Sequence, residues 1–269
     1  MRRMSAVALL IVLAAAGLWA VGGFSPGMAF AQDKPGATPV DLFLTPVFWV
    51  PFQSDFRQYG SRDEIARWTP QGGLQLGVRY GNFSLGVSGL WMSWTDRLTN
   101  NTPGEEFSGD NHIDRYDLDL SATYTFRDVI ANRLSISTGV SYFTAHVYED
   151  FTCDNGCAGD PRTRESERID FWGLGPNLGA TLRLADRWYL SASTANVWGE
   201  GNNSHPDRGR GNTNVPAFLN RNDVTMRFLL SDTVSLFAGY KTQLASSPGS
   251  HDRFWHGPIF GLTVRYNVQ

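Results

Sequence analysis

The feature that most constrains the fold is a ten-residue pattern that occurs twice. Residues 175–184 and 257–266 both read Gly-Pro-x-apolar-Gly-x-Thr-apolar-Arg-apolar, and each follows a Phe-Trp pair. Side chains of a strand alternate between its two faces, so Leu178 and Leu182 lie opposite Gly179, Thr181 and Arg183. One face is apolar and the other is small or polar. This pattern is typical of a barrel strand with lipid outside and a polar lumen inside.

The N-terminus indicates export. Met1-Arg2-Arg3 is basic, residues 6–21 are apolar, and residues 29–31 form a small-x-small cleavage site. Together they predict a signal peptide over residues 1–31 and a mature barrel domain over 32–269 that begins near Gln32. An uncleaved membrane anchor is the weaker alternative.

Composition agrees with one exported all-β domain. The chain has 28 glycines, 13% aromatic residues and a formal net charge of −3, which favours neither nucleic acid nor a polybasic membrane contact. Its only cysteines, Cys153 and Cys157, predict a disulfide across a small loop, because an even cysteine count in an exported chain favours pairing. A metal-binding fragment is the alternative, but it would have only two thiols.

Runs of alternating apolar and polar residues, separated by breaks, predict ten antiparallel strands. We expect them to form a single up-and-down transmembrane barrel, with eight or twelve strands as alternatives. The predicted strands are residues 40–50, 72–80, 83–94, 113–127, 133–148, 168–184, 187–198, 222–231, 233–245 and 254–268. The connections alternate between tight turns and long segments, which predicts short periplasmic turns on one rim and long extracellular loops on the other. A soluble sandwich is disfavoured because its core strands seldom carry so many Gly and Ser residues.

Aromatic residues mark the predicted strand ends. We expect two girdles in contact with the membrane interfaces. One comprises Trp49, Trp91, Trp94, Trp172, Trp198 and Trp255 near the long loops, and the other comprises Tyr80, Phe126, Trp188 and Tyr266 near the turns. Pro176 and Pro258 each remove a ladder donor, so we expect a bulge or local irregularity at both.

Five predicted strands run towards the tight turns, and each carries an arginine on its lumen face near its last residue. We expect these arginines to form a collar: Arg79, Arg127, Arg183, Arg227 and Arg265. A ring of arginines would favour anions in a pore. The alternative is a salt-bridge plug, with Asp117 and Asp119 among the acidic partners. We favour the plug, since a ten-stranded lumen is only slightly wider than one that side chains fill.

Catalytic groups would have to come from His and acidic residues at the long-loop rim. The candidates are Asp110, His112, Asp114, His205, Asp207, His251, Asp252 and His256, as in an omptin-type protease, or His146 or His256 with a nearby serine, as in a lipid A or phospholipid hydrolase. No adjacent nucleophile and base are evident, so we expect no enzyme and no catalytic residue. The acidic stretch 105–114 lacks calcium-loop spacing, and we expect neither a metal site nor a cofactor.

Residues 171–194 resemble the Legionella-type major outer membrane protein family. The residues that carry the resemblance are Phe171, Gly173, Gly175, Pro176, Gly179, Leu182, Trp188 and Leu190. The resemblance implies a pore-forming or structural barrel of a Gram-negative outer membrane. The chain departs from the pattern at its end, Tyr266-Asn267-Val268-Gln269, which lacks a terminal aromatic residue.

The expected function is therefore a narrow porin-like channel or a structural envelope protein. The alternatives are a surface enzyme and an adhesin that acts through its loops. The expected partners are outer-membrane lipid and lipopolysaccharide, the barrel-insertion machinery, and small ions or solutes, without nucleic acid.

Overall fold

A computed structural model describes residues 40–56, 67–68, 70–100, 107–130, 133–155, 164–205, 210–246 and 252–268. The predicted signal peptide and mature start lie outside these residues. Within the described residues, no helix is long and apolar enough to span a membrane.

All regular structure in the described residues is β-strand. In chain order the strands are β1 Val40–Trp49, β2 Phe52–Phe56, β3 Arg67–Trp68, β4 Gln71–Tyr80, β5 Phe83–Asn100, β6 Phe107–Ile130, β7 Leu134–Asn155, β8 Arg164–Ala185, β9 Trp188–His205, β10 Arg210–Leu229, β11 Val234–Ser246 and β12 Asp252–Val268.

Ten strands form a closed antiparallel barrel, which confirms the predicted fold class. Each of β1 and β4 to β12 pairs with its neighbour in chain order, and β1 closes the ring by pairing with β12 from Val40↔Val268 to Trp49↔Ile259. The two short strands extend the sheet beyond the ring, since β2 pairs with β12 and β3 with β2. Closure leaves the ring strands without the unpaired edges that promote aggregation.

Tight turns join consecutive strands at one end of the barrel, which we call the turn end, and the opposite end is the loop end. Gly81 in the β4–β5 turn and Asp128 near the end of β6 both have positive φ angles, of 57° and 56°. Glycine adopts this conformation without a steric penalty, and Asp is among the residues that tolerate it best. The first and last described strands begin and end at the turn end.

The two faces of the wall follow the predicted alternation. Leu76, Tyr116 and Leu174 point outward and are exposed, whereas their neighbours in sequence Gln75, Asp117 and Gly175 point inward. The same rule holds along every ring strand. The outer face is therefore largely apolar, and the lumen is lined largely by polar or small side chains in the half next to the turn end.

Several strands extend further towards the loop end than predicted. β10 begins at Arg210 rather than 222, and β7 continues to Asn155 rather than 148. Residues 210–221 include three asparagines, a glycine and a proline, which have weak strand propensity, yet they pair with β9 over most of their length. Cross-strand pairing therefore outweighs local preference here.

Two of the predicted girdle tryptophans are placed wrongly by the sequence reasoning. Trp49 and Trp255 lie in the lumen and are 0% and 5% exposed. Trp91, Trp172 and Trp198 do point outward and are about half exposed. Both tryptophans lie near the end of a strand, which suggested a girdle position. However, the odd-numbered residues of β1 and β12 face the lumen.

Candidate functional site: the barrel lumen

The five predicted collar arginines all occupy lumen-facing positions of their strands, but they have different partners. Arg79 and Arg265 share one carboxylate, that of Asp41, which is 1% exposed. Arg265 Nε donates to Asp41 Oδ1 at 2.7 Å, and Asn267 Nδ2 donates to the same oxygen at 3.1 Å. The cross-strand registers Asp41↔Arg79 and Asp41↔Asn267 put these groups side by side. This is the charged centre of the turn end.

The other three arginines are held separately. Arg127 donates to the carbonyl of Gly81 at 2.5 Å, and Arg183 pairs with the exposed Asp186 at 3.0 Å. Arg227 donates to the hydroxyls of Ser235 and Thr263, at 3.3 and 3.5 Å, and its guanidinium lies 5.6 Å from the Phe237 ring centroid. The anion-selective constriction that the sequence suggested stays a prediction.

The two predicted acidic partners pair with arginines outside the collar. Asp117 accepts two hydrogen bonds from Arg115, at 2.9 and 2.7 Å, and Asp119 accepts one from Arg221 at 2.6 Å. The sequence reasoning did not identify Arg115, Arg221 or the buried Lys241. All three lie at lumen-facing positions of their strands, so the alternation of the sequence could have identified them. Arg221, however, lies in a segment that was predicted to be a loop.

Apolar side chains fill the lumen on the loop-end side of these ion pairs. Three clusters draw on nearly every ring strand: Val47, Trp49, Leu90, Phe237, Trp255 and Ile259; Phe143, Phe171, Val197, Ala217 and Leu219; and Met92, Ile113 and Val147. Ala245 packs against the first two clusters and so joins them. We call this group of side chains the apolar plug.

Several contacts cross the barrel interior rather than following neighbouring strands. The Arg115 guanidinium on β6 lies 4.4 Å from the Trp255 ring centroid on β12, with three strands between them on the shorter path around the ring. Arg221 on β10 reaches Asp119 on β6, again with three strands between, and lies 4.6 Å from the Phe143 ring centroid. Cation–π and charge-assisted contacts of this kind hold opposite walls together. The lumen is therefore closed at this level.

A polar cavity of about 120 Å³ lies between the apolar plug and the turn end. It is lined mainly by hydroxyl, amide and charged side chains: Gln75, Ser88, Asp119, Ser121, Ser141, Asn177, Ser191, Ser193, Arg221, Asp223, Thr225, Arg227 and Lys241. Asn177 donates to Ser141 at 2.8 Å, and Ser193 donates to Asp223 at 3.4 Å. Of the residues that line the cavity, Gln75 and Ser121 keep partial exposure, whereas Ser141, Asn177 and Ser191 are buried.

His112, His146 and His256 lie on the outer face, not in the lumen. His112 Nδ1 is 2.8 Å from Thr95 Oγ1, and its Nε2 is 3.2 Å from Asp114 Oδ2. His146 pairs with Asp170, and His256 with the hydroxyl of Tyr240. The side chains of His205, Asp207, His251 and Asp252 lie outside the described part of the chain.

The remaining predicted features are mostly beyond the described residues. Cys157 lies outside them, and of Cys153 only the backbone in β7 is described, so the disulfide stays a prediction. The described residues contain no group of three or more His, Cys, Asp or Glu side chains that could hold a metal ion.

Comparison with solved structures finds several barrels of bacterial outer membranes. The outer membrane protease OmpT from Escherichia coli aligns with a TM-score of 0.48 and 10% identity, over 90% of this chain and 99% of that chain. The transport unit of the autotransporter AIDA-I from Escherichia coli gives 0.39 and 11%, over 88% and 93%. A Pseudomonas aeruginosa FadL homologue gives 0.36 and 12%, over 85% and 90%.

No protein-family model and no curated protein sequence matches the chain. The resemblance of residues 171–194 to the Legionella-type family therefore stays a prediction. At such low identity and TM-score the structural similarities transfer no activity to this protein.

Proposed function

We propose that this protein is an integral outer-membrane β-barrel that serves as a structural envelope protein with a closed lumen. The main support for this proposal is the contrast between the outer and inner surfaces of the barrel wall. The outer face is largely apolar, apart from a hydrogen-bonded polar group of Asn196, Asn220, Asn222 and Thr242 on β9 to β11, whereas contacts between opposite walls block the lumen.

The height of the apolar face fits a bilayer. On β9, the exposed Trp188 and Trp198 lie ten residues apart, with Leu190, Ala192, Thr194 and Asn196 at the outward-facing positions between them. At about 3.3 Å per residue the two tryptophans are about 33 Å apart along the strand. A strand tilt of about 40° reduces this to a vertical distance of about 25 Å, the height of the apolar band of outer-membrane barrels. The expected lipid and lipopolysaccharide contacts are assigned to this band.

The plug favours the structural role over the porin-like channel. Side chains as large as Trp49 and Phe143 are almost completely buried in the lumen, and the contacts of Arg115 and Arg221 cross it. An open pore needs a continuous wet path, which these side chains occupy. Passage of small ions or solutes would require the plug to move.

The surface-enzyme alternative is less well supported. The Thr95–His112–Asp114 chain joins a hydroxyl, an imidazole and a carboxylate, but it lies on the outer sheet face, with the His112 and Asp114 side chains 43% and 30% exposed. Catalytic groups act most strongly in water-excluded sites with preorganised donors. An adhesin would act through connections at the loop end that lie largely outside the described residues.

The proposal is tested on purified full-length protein. It predicts a heat-modifiable gel band, because a closed barrel migrates differently before and after boiling, and no ion conductance in planar bilayers. A folded protein that produces steady channels would refute the closed lumen. Partition into the soluble periplasmic fraction without a shifted band would refute the membrane assignment.

A further inference from the structure

The mid-lumen cavity contains a buried cation with unused hydrogen-bonding capacity. Lys241 on β11 is 9% exposed and lines the cavity. Its Nζ lies 4.9 Å from the Trp49 ring centroid, and the described residues provide it with no hydrogen bond. An ammonium group has three donors, and burying it without acceptors is costly. An acceptor inside the cavity would satisfy them.

The surrounding charges leave the cavity positive. Arg221, Arg227 and Lys241 line it together with the carboxylates of Asp119 and Asp223, so cations exceed carboxylates by one. Asp119 is already engaged by Arg221 Nη2 across the lumen. The Nε of Arg221 is buried and has no hydrogen-bond partner among the described residues. An anion would therefore meet both a lysine ammonium and a guanidinium N–H.

The neutral part of the lining is also polar. Ser191, Ser193 and Thr225 contribute hydroxyls to the same cavity, although Ser193 already donates to Asp223 and Ser191 is hydrogen-bonded to Thr181. Hydroxyl, ammonium and guanidinium donors together match the several acceptor oxygens of an oxyanion better than they match a cation, which would meet three positive side chains. The cavity volume of about 120 Å³ is several times the roughly 10–15 Å³ that one water molecule needs, so a small oxyanion fits this space.

We propose that the mid-lumen cavity is a binding site for a small oxyanion of the phosphate, sulfate or short carboxylate class, with Lys241 as its principal charge. The apolar plug closes the loop-end side of the site. The site uses Arg221 and Lys241 rather than the arginines of the Asp41 cluster, so it is separate from the turn-end ion pairs.

The test is equilibrium dialysis of the purified full-length barrel in detergent with radiolabelled inorganic phosphate. Wild type is expected to bind phosphate saturably, and Lys241→Met, which keeps the side-chain length, is expected to bind at least about tenfold more weakly, equivalent to about 1.4 kcal/mol. Arg187→Met is the matched control, since it removes one positive charge from the exposed β8–β9 turn. Its phosphate affinity is expected to equal that of wild type.

A second variant changes affinity in the opposite direction and keeps the test informative if Lys241→Met does not fold. Asp223→Asn removes a negative charge from the lining and is expected to bind phosphate severalfold more tightly than wild type. Absence of saturable binding to the wild type overturns the proposal, as does equal affinity of wild type and folded Lys241→Met. An Asp223→Asn protein that binds no more tightly than wild type overturns it as well. A bilayer conductance would leave this inference intact, because the site does not depend on the closed lumen.

Discussion

Asp41 is the residue on which the charged turn end of the lumen depends. Its carboxylate is almost fully buried and accepts hydrogen bonds from Arg79, Arg265 and Asn267. β1 lies between β4 and β12, so Asp41 also links the first and last strands of the closed ring. A single carboxylate thus compensates two buried guanidinium groups at the point of barrel closure.

Replacing Asp41 with Asn is predicted to lower the free energy of unfolding by about 3–5 kcal/mol, because two buried cations lose their shared counter-charge. Urea unfolding in detergent, followed by the heat-modifiable band, measures this change. Asp186→Asn is the control, since Asp186 is 98% exposed in its pair with Arg183. It should have no measurable effect. Equal stabilities of the two variants would show that the Asp41 cluster contributes little.

The packing of β8 and β12 explains why the repeated pattern begins with a glycine. Its first glycines, Gly175 on β8 and Gly257 on β12, lie where the neighbouring backbone approaches closely. A Cβ at Gly175 would be 1.8 Å from the carbonyl oxygen of Asn196, and one at Gly257 would be 2.0 Å from that of Val50. The repeat therefore conserves a close backbone contact in two places of the wall.

Of the two prolines in the pattern, Pro176 interrupts the pairing with β9, and it does so without inserting a residue. The β8–β9 ladder has no pair at Gly175 or Pro176, but Leu174↔Trp198 and Asn177↔Ala195 keep the same register. Pro258 pairs with Tyr240 in register with its neighbours. The expected bulge is thus absent, and the irregularity is limited to missing ladder pairs, as a residue without an N–H requires.

Gly175→Ala is predicted to destabilise the barrel by about 1–3 kcal/mol, because the backbone of β8 or β9 must shift to admit the methyl group. Gly89→Ala on β5 is the matched control, since a Cβ there would meet nothing within 4 Å. The urea midpoint of the folded band is the measurement. If both alanine variants unfold at the same urea concentration, the close approach has no energetic consequence.

At the scale of the whole molecule, the apolar plug decides whether the barrel conducts. Trp49 and Trp255 come from the two strands that close the ring, and the Arg115 guanidinium reaches both rings across the lumen, 5.7 and 4.4 Å from their centroids. These three side chains link opposite walls above the polar cavity. Removing the two indoles would leave a path from the loop end to that cavity.

The double variant Trp49→Ala/Trp255→Ala is predicted to conduct ions in planar bilayers and to lose stability, by about 3–5 kcal/mol for each buried tryptophan. Trp91→Ala/Trp198→Ala removes the same side chains from the outer face, where both are exposed, and should remain silent. Both proteins must first show the heat-shifted band of a folded barrel. Silence of the folded lumen variant would mean that other side chains suffice to close the channel.

The sequence by itself determined the ten-stranded barrel and the two faces of its wall. Alternation with period two is a local property that each strand carries in its own residues, so Leu76, Tyr116 and Leu174 could be placed outward without knowledge of any partner. The same parity assigned Arg79 and Arg265 to the lumen. The ends of strands were less predictable, because residues 210–221 become strand only through pairing with β9.

Only the tertiary structure decided what the lumen residues do. The contacts of Arg115 with Trp255, of Arg221 with Asp119, and of Asp41 with two arginines depend on which strands face each other once the ring closes. Parity gives the face of a side chain but not its height or its opposite neighbour, since both depend on closure and register. For that reason the sequence could place arginines on the lumen face, whereas the shared carboxylate, the polar cavity and the apolar plug are seen only in the folded chain.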